Sequence, residues 1–263
     1  MRTARDYTRS ALKGAASPLG WVDRERKGEL DYWLDHALPP SSIYQITFRA
    51  ADGCNLRCKT CHFSMDYRKG QKTLLMDPEL VREVVETSKG WVSLMGFSAS
   101  GEPLINPEID KMIGYVSAAG IKSKIGTNAM LLTPDLSRRL LEAGLSILKV
   151  SIDGATAETY ETVRVGASFE KLCENLEAFW RLRNEMGAKT KIVVNTVITK
   201  DNEHEIEDVK KVFGQFADKF AAKYPSTFGI MSSLCDYSPT AMEHKRCNQL
   251  VKRMTIITDG RAT

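Results

Sequence analysis

No stretch of this chain approaches the roughly 18 to 20 consecutive apolar residues that a bilayer-crossing helix needs, and no short apolar core with a small-residue cleavage site opens it. A spanning segment and an export signal are both unexpected, so the cytoplasm is the expected compartment and no membrane partner is foreseen. Absent too is any block of basic residues. Lys and Arg number 37 against 33 Asp and Glu, a net charge of +4, and they are scattered along the chain. Scattered charge does not make the stripe that tracks a phosphate backbone, so nucleic acid is not an expected partner. Biased composition is also missing: 43% hydrophobic and 27% charged residues exclude extensive disorder and fibrous repeats and leave enough apolar material for a sizeable core. The first twenty residues are basic, rich in Ser and Ala and poor in acids, as transit peptides and frayed termini both are; the frayed terminus is the expectation.

Cysteine is sparse and uneven. Six occur, at 54, 58, 61, 173, 235 and 247, and three of them fall within eight residues. In a reducing compartment that clustering reads as metal binding and not as a disulfide framework. Cys173, on a helix, reads as a core thiol, and buried free thiols are the plain reading of Cys235 and Cys247.

From Ile43 onward, short β-rich runs alternate with segments of helical periodicity, the pattern of a parallel sheet with right-handed helical crossovers. Strands are expected near Ile43–Arg49, Trp91–Ser98, Ile121–Gly126, Ser146–Ile152, Lys191–Thr199 and Phe228–Ser233. Helices are expected over about 77–89, 107–119, 134–143, 168–186 and 203–222. Asp77-Pro78, Asn106-Pro107 and Thr133-Pro134 each combine an N-cap residue with proline at the first helical position. Six such units predict an α/β fold, a partial (β/α)6 TIM-like barrel, with its functional loops at the C-terminal ends of the strands. Residues 21–36 read as an amphipathic packing helix with Trp21, Leu30, Trp33 and Leu34 as anchors. The expected division is an N-terminal extension over 1–40, a barrel core over 41–235 and a distinct segment over 236–263.

Cys54, Cys58 and Cys61 directly follow the first expected strand, which places them on the functional rim. Three soft thiolates can hold three irons of a cubane. Zinc would need a fourth ligand, which adjacent His62 is poorly placed to supply and a distant residue could, so a zinc site stays open on the triplet alone.

The Cys-x3-Cys-x2-Cys spacing after a first strand resembles the signature of radical S-adenosylmethionine (SAM) enzymes, and the resemblance runs over about 200 residues. It implies a 4Fe-4S cluster on Cys54, Cys58 and Cys61 whose open iron is chelated by SAM. It further implies reductive cleavage of SAM to a 5′-deoxyadenosyl radical that abstracts hydrogen from a substrate, with a flavodoxin- or ferredoxin-like protein as electron donor. The residue before the third cysteine is usually aromatic in that family and is Thr60 here; Phe63, just beyond, is a candidate for the cofactor pocket. Ser100-Gly101-Glu102-Pro103 resembles the family's Gly-Gly-Glu-Pro motif, which assigns Gly101 to close backbone approach and Glu102 to the methionine ammonium. Ser151-Ile152-Asp153-Gly154 and the downstream Arg164 resemble a further stretch, placing Ser151 and Asp153 near the ribose and Arg164 near the methionine carboxylate. Asn128 ends the third strand, where a ligand across the rim would meet it. Asn195 is an amide in an apolar strand that needs a partner, a SAM contact or neighbouring backbone.

Cys247 leads into Met254-Thr255-Ile256-Ile257-Thr258-Asp259-Gly260, which resembles the opening of a SPASM or twitch auxiliary-cluster domain, and the expectation is a truncated or degenerate one. Relatives of that kind modify peptides or proteins, or dehydrogenate an aminoglycoside precursor. A peptide or small-molecule substrate is expected accordingly, with peptide or protein preferred. The competing class is a non-catalytic zinc or iron–sulfur protein serving electron transfer.

Overall fold

The computed structural model describes residues 45–61, 72–224 and 253–262. Seven strands line up in one wholly parallel sheet. They are β1 (Gln45–Phe48), β2 (Leu94–Phe97), β3 (Lys122–Thr127), β4 (Ile147–Ser151), β5 (Lys191–Val197), β6 (Lys219–Lys223) and β7 (Arg253–Ile256). Their spatial order is β6-β5-β4-β3-β2-β1-β7, so the sheet stays unclosed with β6 and β7 at its edges, as a partial barrel requires. The crossovers carry α1 (Pro78–Ser88), α2 (Ile109–Ala118), α3 (Pro134–Glu142), α4 (Ala157–Val163), α5 (Phe169–Glu185) and α6 (Ile206–Phe213). Among the described residues no helix is long and apolar enough to cross a membrane.

Period-2 alternation decides what each face of the sheet carries. Ile46, Phe48, Met95, Phe97, Ile125, Leu148, Val150, Ile192, Val194, Met254 and Ile256 are buried in one core with the apolar stripes of the helices. Phe48 stacks on Phe97 at 5.2 Å between ring centroids. Each such fully buried side chain stabilises by about 1.5–3 kcal/mol. The intervening positions, in register across the sheet, carry Gln45, Thr47, Gly96, Lys124, Gly126, Lys149, Ser151 and Asn195 on the inner face.

Asp77 and Thr133 cap α1 and α3 as expected, accepting from the backbone N–H of Glu79 and Leu136, with Pro78 and Pro134 opening each helix. Asn106 does something different. Its Oδ1 accepts from Glu108 N, but its Nδ2 donates to the carbonyls of Ala50 (2.9 Å) and Met76 (3.0 Å), tying the end of β1 to the entry of α1. The helix beyond it begins at Ile109, after a 3-10 turn over Pro103–Ile105.

The helix expected over 203–222 is a correction. A 3-10 turn at Glu203–Glu205 leads into α6, which ends at Phe213, and the chain then forms β6 against β5. Asp218 forces the change: its carboxylate accepts from Ile192 N (2.7 Å) and pairs with Arg183, which fixes the start of β6 beside β5. Phe220 then packs toward the core. Helix α4, capped by Thr156, went unforeseen. The strand expected at 228–233, the helix at 21–36, and Cys235 and Cys247 lie outside the described residues. Segment 253–256 pairs in parallel with β1 and so joins the same sheet.

Candidate active site

The cysteine loop leaves β1 and is clamped from two sides. Arg57 N and Lys59 N donate to the carbonyls of Val165 and Val163 (both 2.9 Å), tying the loop to the end of α4, and Gly53 O accepts from Glu102 N (2.8 Å). That last approach requires glycine at 101: φ is +75°, and a Cβ there would meet Gly53 O at 2.5 Å and Ala51 O at 2.6 Å. The turn Gly101-Glu102 therefore lies directly on the cysteine loop.

Donors converge on two of the sulfurs. Cys54 Sγ accepts from Leu56 N at 3.5 Å and faces Asn128 Nδ2 at 4.0 Å, while Cys58 Sγ faces Arg164 Nη1 at 3.9 Å. Burial pushes the Cys54 thiol up to about 11 and raises Cys58 as well, even though Arg164 pulls the latter down. At neutral pH both therefore hold their protons until a metal displaces them. Among the described residues no three His, Cys, Asp or Glu side chains converge on one ion. Three thiols in one loop are the donor type of a polynuclear centre, in which each thiolate takes its own iron.

Glu102 is buried, and most of its acceptor capacity is used internally. Oε1 accepts from Thr127 Oγ1 (2.7 Å) and Leu104 N (3.2 Å), and Oε2 accepts from Asn128 N (2.8 Å). Burial raises its pKa against these bonds. Oε2 keeps one acceptor direction for a further donor. Asn128 links the parts: its Nδ2 donates to Asn55 Oδ1 (2.9 Å) in the cysteine loop and its Oδ1 accepts from Met130 N (2.9 Å). The next residue, Ala129, adopts φ +64°, a left-handed conformation unusual for a residue with a side chain. Asn175 Nδ2 holds it there by donating to Ala129 O (2.7 Å).

Asp153 and Arg164 meet one another. Asp153 Oδ1 accepts from Val197 N (2.8 Å), and Oδ2 stands 2.7 Å from Arg164 Nη2, an ion pair outside hydrogen-bond alignment. Burial works to lower the Arg164 pKa, but Asp153 and then Cys58 outweigh it and hold the guanidinium charged. Arg164 Nε is buried without a hydrogen bond. A guanidinium fixed between a thiol and a carboxylate, with a donor in reserve, is equipped to take a ligand carboxylate. Ser151 and Asn195 are register partners at the ends of β4 and β5, and Ile152 N donates to Asn195 O (2.9 Å). Among the described residues no group takes up the Asn195 side-chain amide, although it is only 7% exposed. Phe63 lies outside the described residues.

Two residues that sequence reasoning missed hold this rim together. Asn202 Nδ2 donates to Asp153 O (3.0 Å) and Val197 O (2.8 Å). Glu205 accepts from Ala155 N (2.6 Å), Thr156 N and the hydroxyls of Thr156 and Thr159, closing the start of α4. Burial opposes these bonds, yet they hold its carboxyl below the usual range. The available signal was Thr199-x-x-Asn202, a turn between the expected strand and the expected helix.

A family described as the Radical SAM superfamily matches residues 49–213. An AdoMet-dependent heme synthase of Methanosarcina barkeri is 30% identical over 196 residues, 73% of this chain and 52% of that protein. Mycofactocin maturase MftC of Mycobacterium ulcerans is 28% identical over 178 residues, 67% of this chain and 45% of that protein. The chain thus spans about half the length of the curated relatives it matches. Among solved structures, Streptococcus suis SuiB bound to S-adenosylmethionine superposes with a TM-score of 0.61 at 15% identity, covering 91% of this chain and 64% of that one, a likeness of fold. SuiB is also known bound to its precursor peptide SuiA.

Proposed function

This chain belongs to the radical SAM superfamily, whose members use a 4Fe-4S cluster and SAM, and we propose that it takes hydrogen from a peptide or protein substrate held in the open barrel. When bound, the reduced cluster and SAM supply a 5′-deoxyadenosyl radical. The chain's own part is to hold, orient and shield. Cys54, Cys58 and Cys61 take three irons, and the N–H groups beside Cys54 and Cys58 stabilise the charge on their thiolates. Arg164 would donate through its free Nε to the methionine carboxylate, with Asp153 fixing its orientation. Glu102 Oε2 takes the ammonium, Gly101 lets the backbone approach, and Ser151, Asn128 and Asn195 offer polar groups to the nucleoside from the ends of β3, β4 and β5. Phe63 completes the pocket in this reading.

The observation that carries the proposal is Arg164, buried between Cys58 Sγ and Asp153 with a donor unused. A non-catalytic metal module has no reason to build that arrangement. The peptide preference is supported by the similarity to a mycofactocin maturase and by the fold shared with a peptide-binding enzyme. We propose a SPASM-like subgroup from the similarity to the mycofactocin maturase, and a cytoplasmic setting and a flavodoxin- or ferredoxin-like donor as part of the same reading.

Anaerobic reconstitution should yield about four irons per chain and, after reduction with SAM, 5′-deoxyadenosine. Cys58→Ala should lose both the cluster absorbance and the deoxyadenosine; turnover retained by that variant would overturn the ligand assignment.

A further inference from the structure

Some of the lysines scattered along the sequence gather in space. Inner-face positions of the seven strands hold Lys122, Lys124, Lys149, Lys191, Lys219, Lys223 and Arg253 and no Asp or Glu. Four of these interact. Lys149 is repelled by Lys223, Lys124 and Arg253, and Lys124 by Arg253, and among the described residues no carboxylate offsets either. Lys124 and Lys149 are half-buried at the middle of the sheet, diagonal neighbours on β3 and β4. Burial, reinforced by those three cations, brings Lys149 down to about 8.

Beside them two inner-face positions are glycines, with the side chains of Gln45, Thr47 and Ser98 close over them. Gly96 lies next to Lys124, where an added Cβ would meet Lys124 Cε at 3.6 Å and Gln45 Nε2 at 3.3 Å; Gly126 is the register partner of Lys149. Gln45 in turn accepts from Arg253 Nη2 (3.2 Å) and donates to Thr47 Oγ1 (2.9 Å), so the margin is polar as well. Like charges gathered without counter-charge in a concave, half-desolvated face cost stability and focus a positive potential into the barrel. Such a cost is tolerated where a ligand of opposite charge relieves it.

We infer that this inner face binds an oxyanion carried by the substrate, a carboxylate or a phosphate ester, with Lys124 and Lys149 at the centre and Lys223 and Arg253 at the margin. This assignment rests on the reading that the open barrel is where a radical enzyme holds its substrate. Lys124 and Lys149 lie two or three residues below the strand ends that carry Ser151 and Asn128, so the anion anchors the substrate deep in the barrel and leaves its reacting carbon toward the rim.

Calorimetric titration of the full chain, cluster reconstituted, with inorganic phosphate and separately with glutarate at fixed ionic strength tests it. Saturable binding is expected. Phosphate alone identifies a phosphate ester, and glutarate, alone or with phosphate, identifies a carboxylate. Lys124→Gln/Lys149→Gln should weaken the bound probe at least tenfold, Lys149→Arg should keep it, and Lys171→Gln/Lys210→Gln on the helical surface should leave it unchanged. If the double variant does not fold, Lys124→Gln alone carries the test. Absence of saturable binding, or equal loss in the surface variant, would overturn the proposal. Deoxyadenosine production by the same preparation separates the failures: formed without anion binding, it sinks the anion site alone, whereas anion binding without it sinks the radical reading.

Discussion

The two faces of one sheet differ more than any two elements of the molecule. Outward, Ile46, Phe48, Met95, Phe97, Leu148 and Ile192 are fully buried under the helices. Inward, their immediate chain neighbours include Gln45, Thr47, Gly96 and Lys149. The outer face stabilises the fold by burying hydrocarbon, while the inner face gives up stability for polarity and room. In a parallel sheet whose described helices lie on one side, adjacent residues therefore answer to different demands.

Loss of a rim support should have the largest effect. Gly101→Ala drives a methyl group into Gly53 O and Ala51 O, and should abolish or sharply reduce iron incorporation, measured as iron per chain, because the cysteine loop must shift. Next comes the neighbour pair on β4. Leu148→Ala should cost about 2–5 kcal/mol by denaturant unfolding, whereas Lys149→Met should cost nothing and raise the midpoint. A Lys149→Met protein as unstable as Leu148→Ala would erase the distinction between the faces. Glu205→Gln, which weakens the closure of α4 on the rim, should cost about 1–3 kcal/mol.

A further effect is the pH dependence of stability. Lys149 titrates near 8 in the fold against 10.5 when free, through burial and the cations Lys223, Lys124 and Arg253. Between those values the unfolded chain binds the extra proton, so this residue makes stability rise with pH from about 8 to 10.5, with the full penalty present below 8. Wild type minus Lys149→Met should show that slope, and a flat difference would place Lys149 in ordinary solvent.

Much of the site could be read from residue types in order. Cysteine spacing after a strand, a Gly-Glu turn, and an acid and an arginine flanking a helix specify positions along a rim as soon as strands alternate with helices. What could not be read was who pairs with whom. Asp153 and Arg164 were assigned to different parts of a ligand, and that they also pair with each other was not legible; both are buried, and neither charge tolerates burial alone. Asn202 and Glu205 were invisible because the partners they reach across the rim, Asp153, Ala155 and Thr159, lie 46 or more positions away in sequence. The long helix over 203–222 failed because a local periodic pattern cannot register that Asp218 binds the neighbouring strand.

By itself the sequence determined the alternation of strand and helix, the caps at Asp77 and Thr133, and the loop that carries three thiols, since each follows from local spacing and backbone preference. Only the tertiary structure decided that β7 returns to lie beside β1, and that lysines far apart in a chain of near-balanced charge share one inner face. Strand register is a nonlocal quantity, and it sets which charges become neighbours.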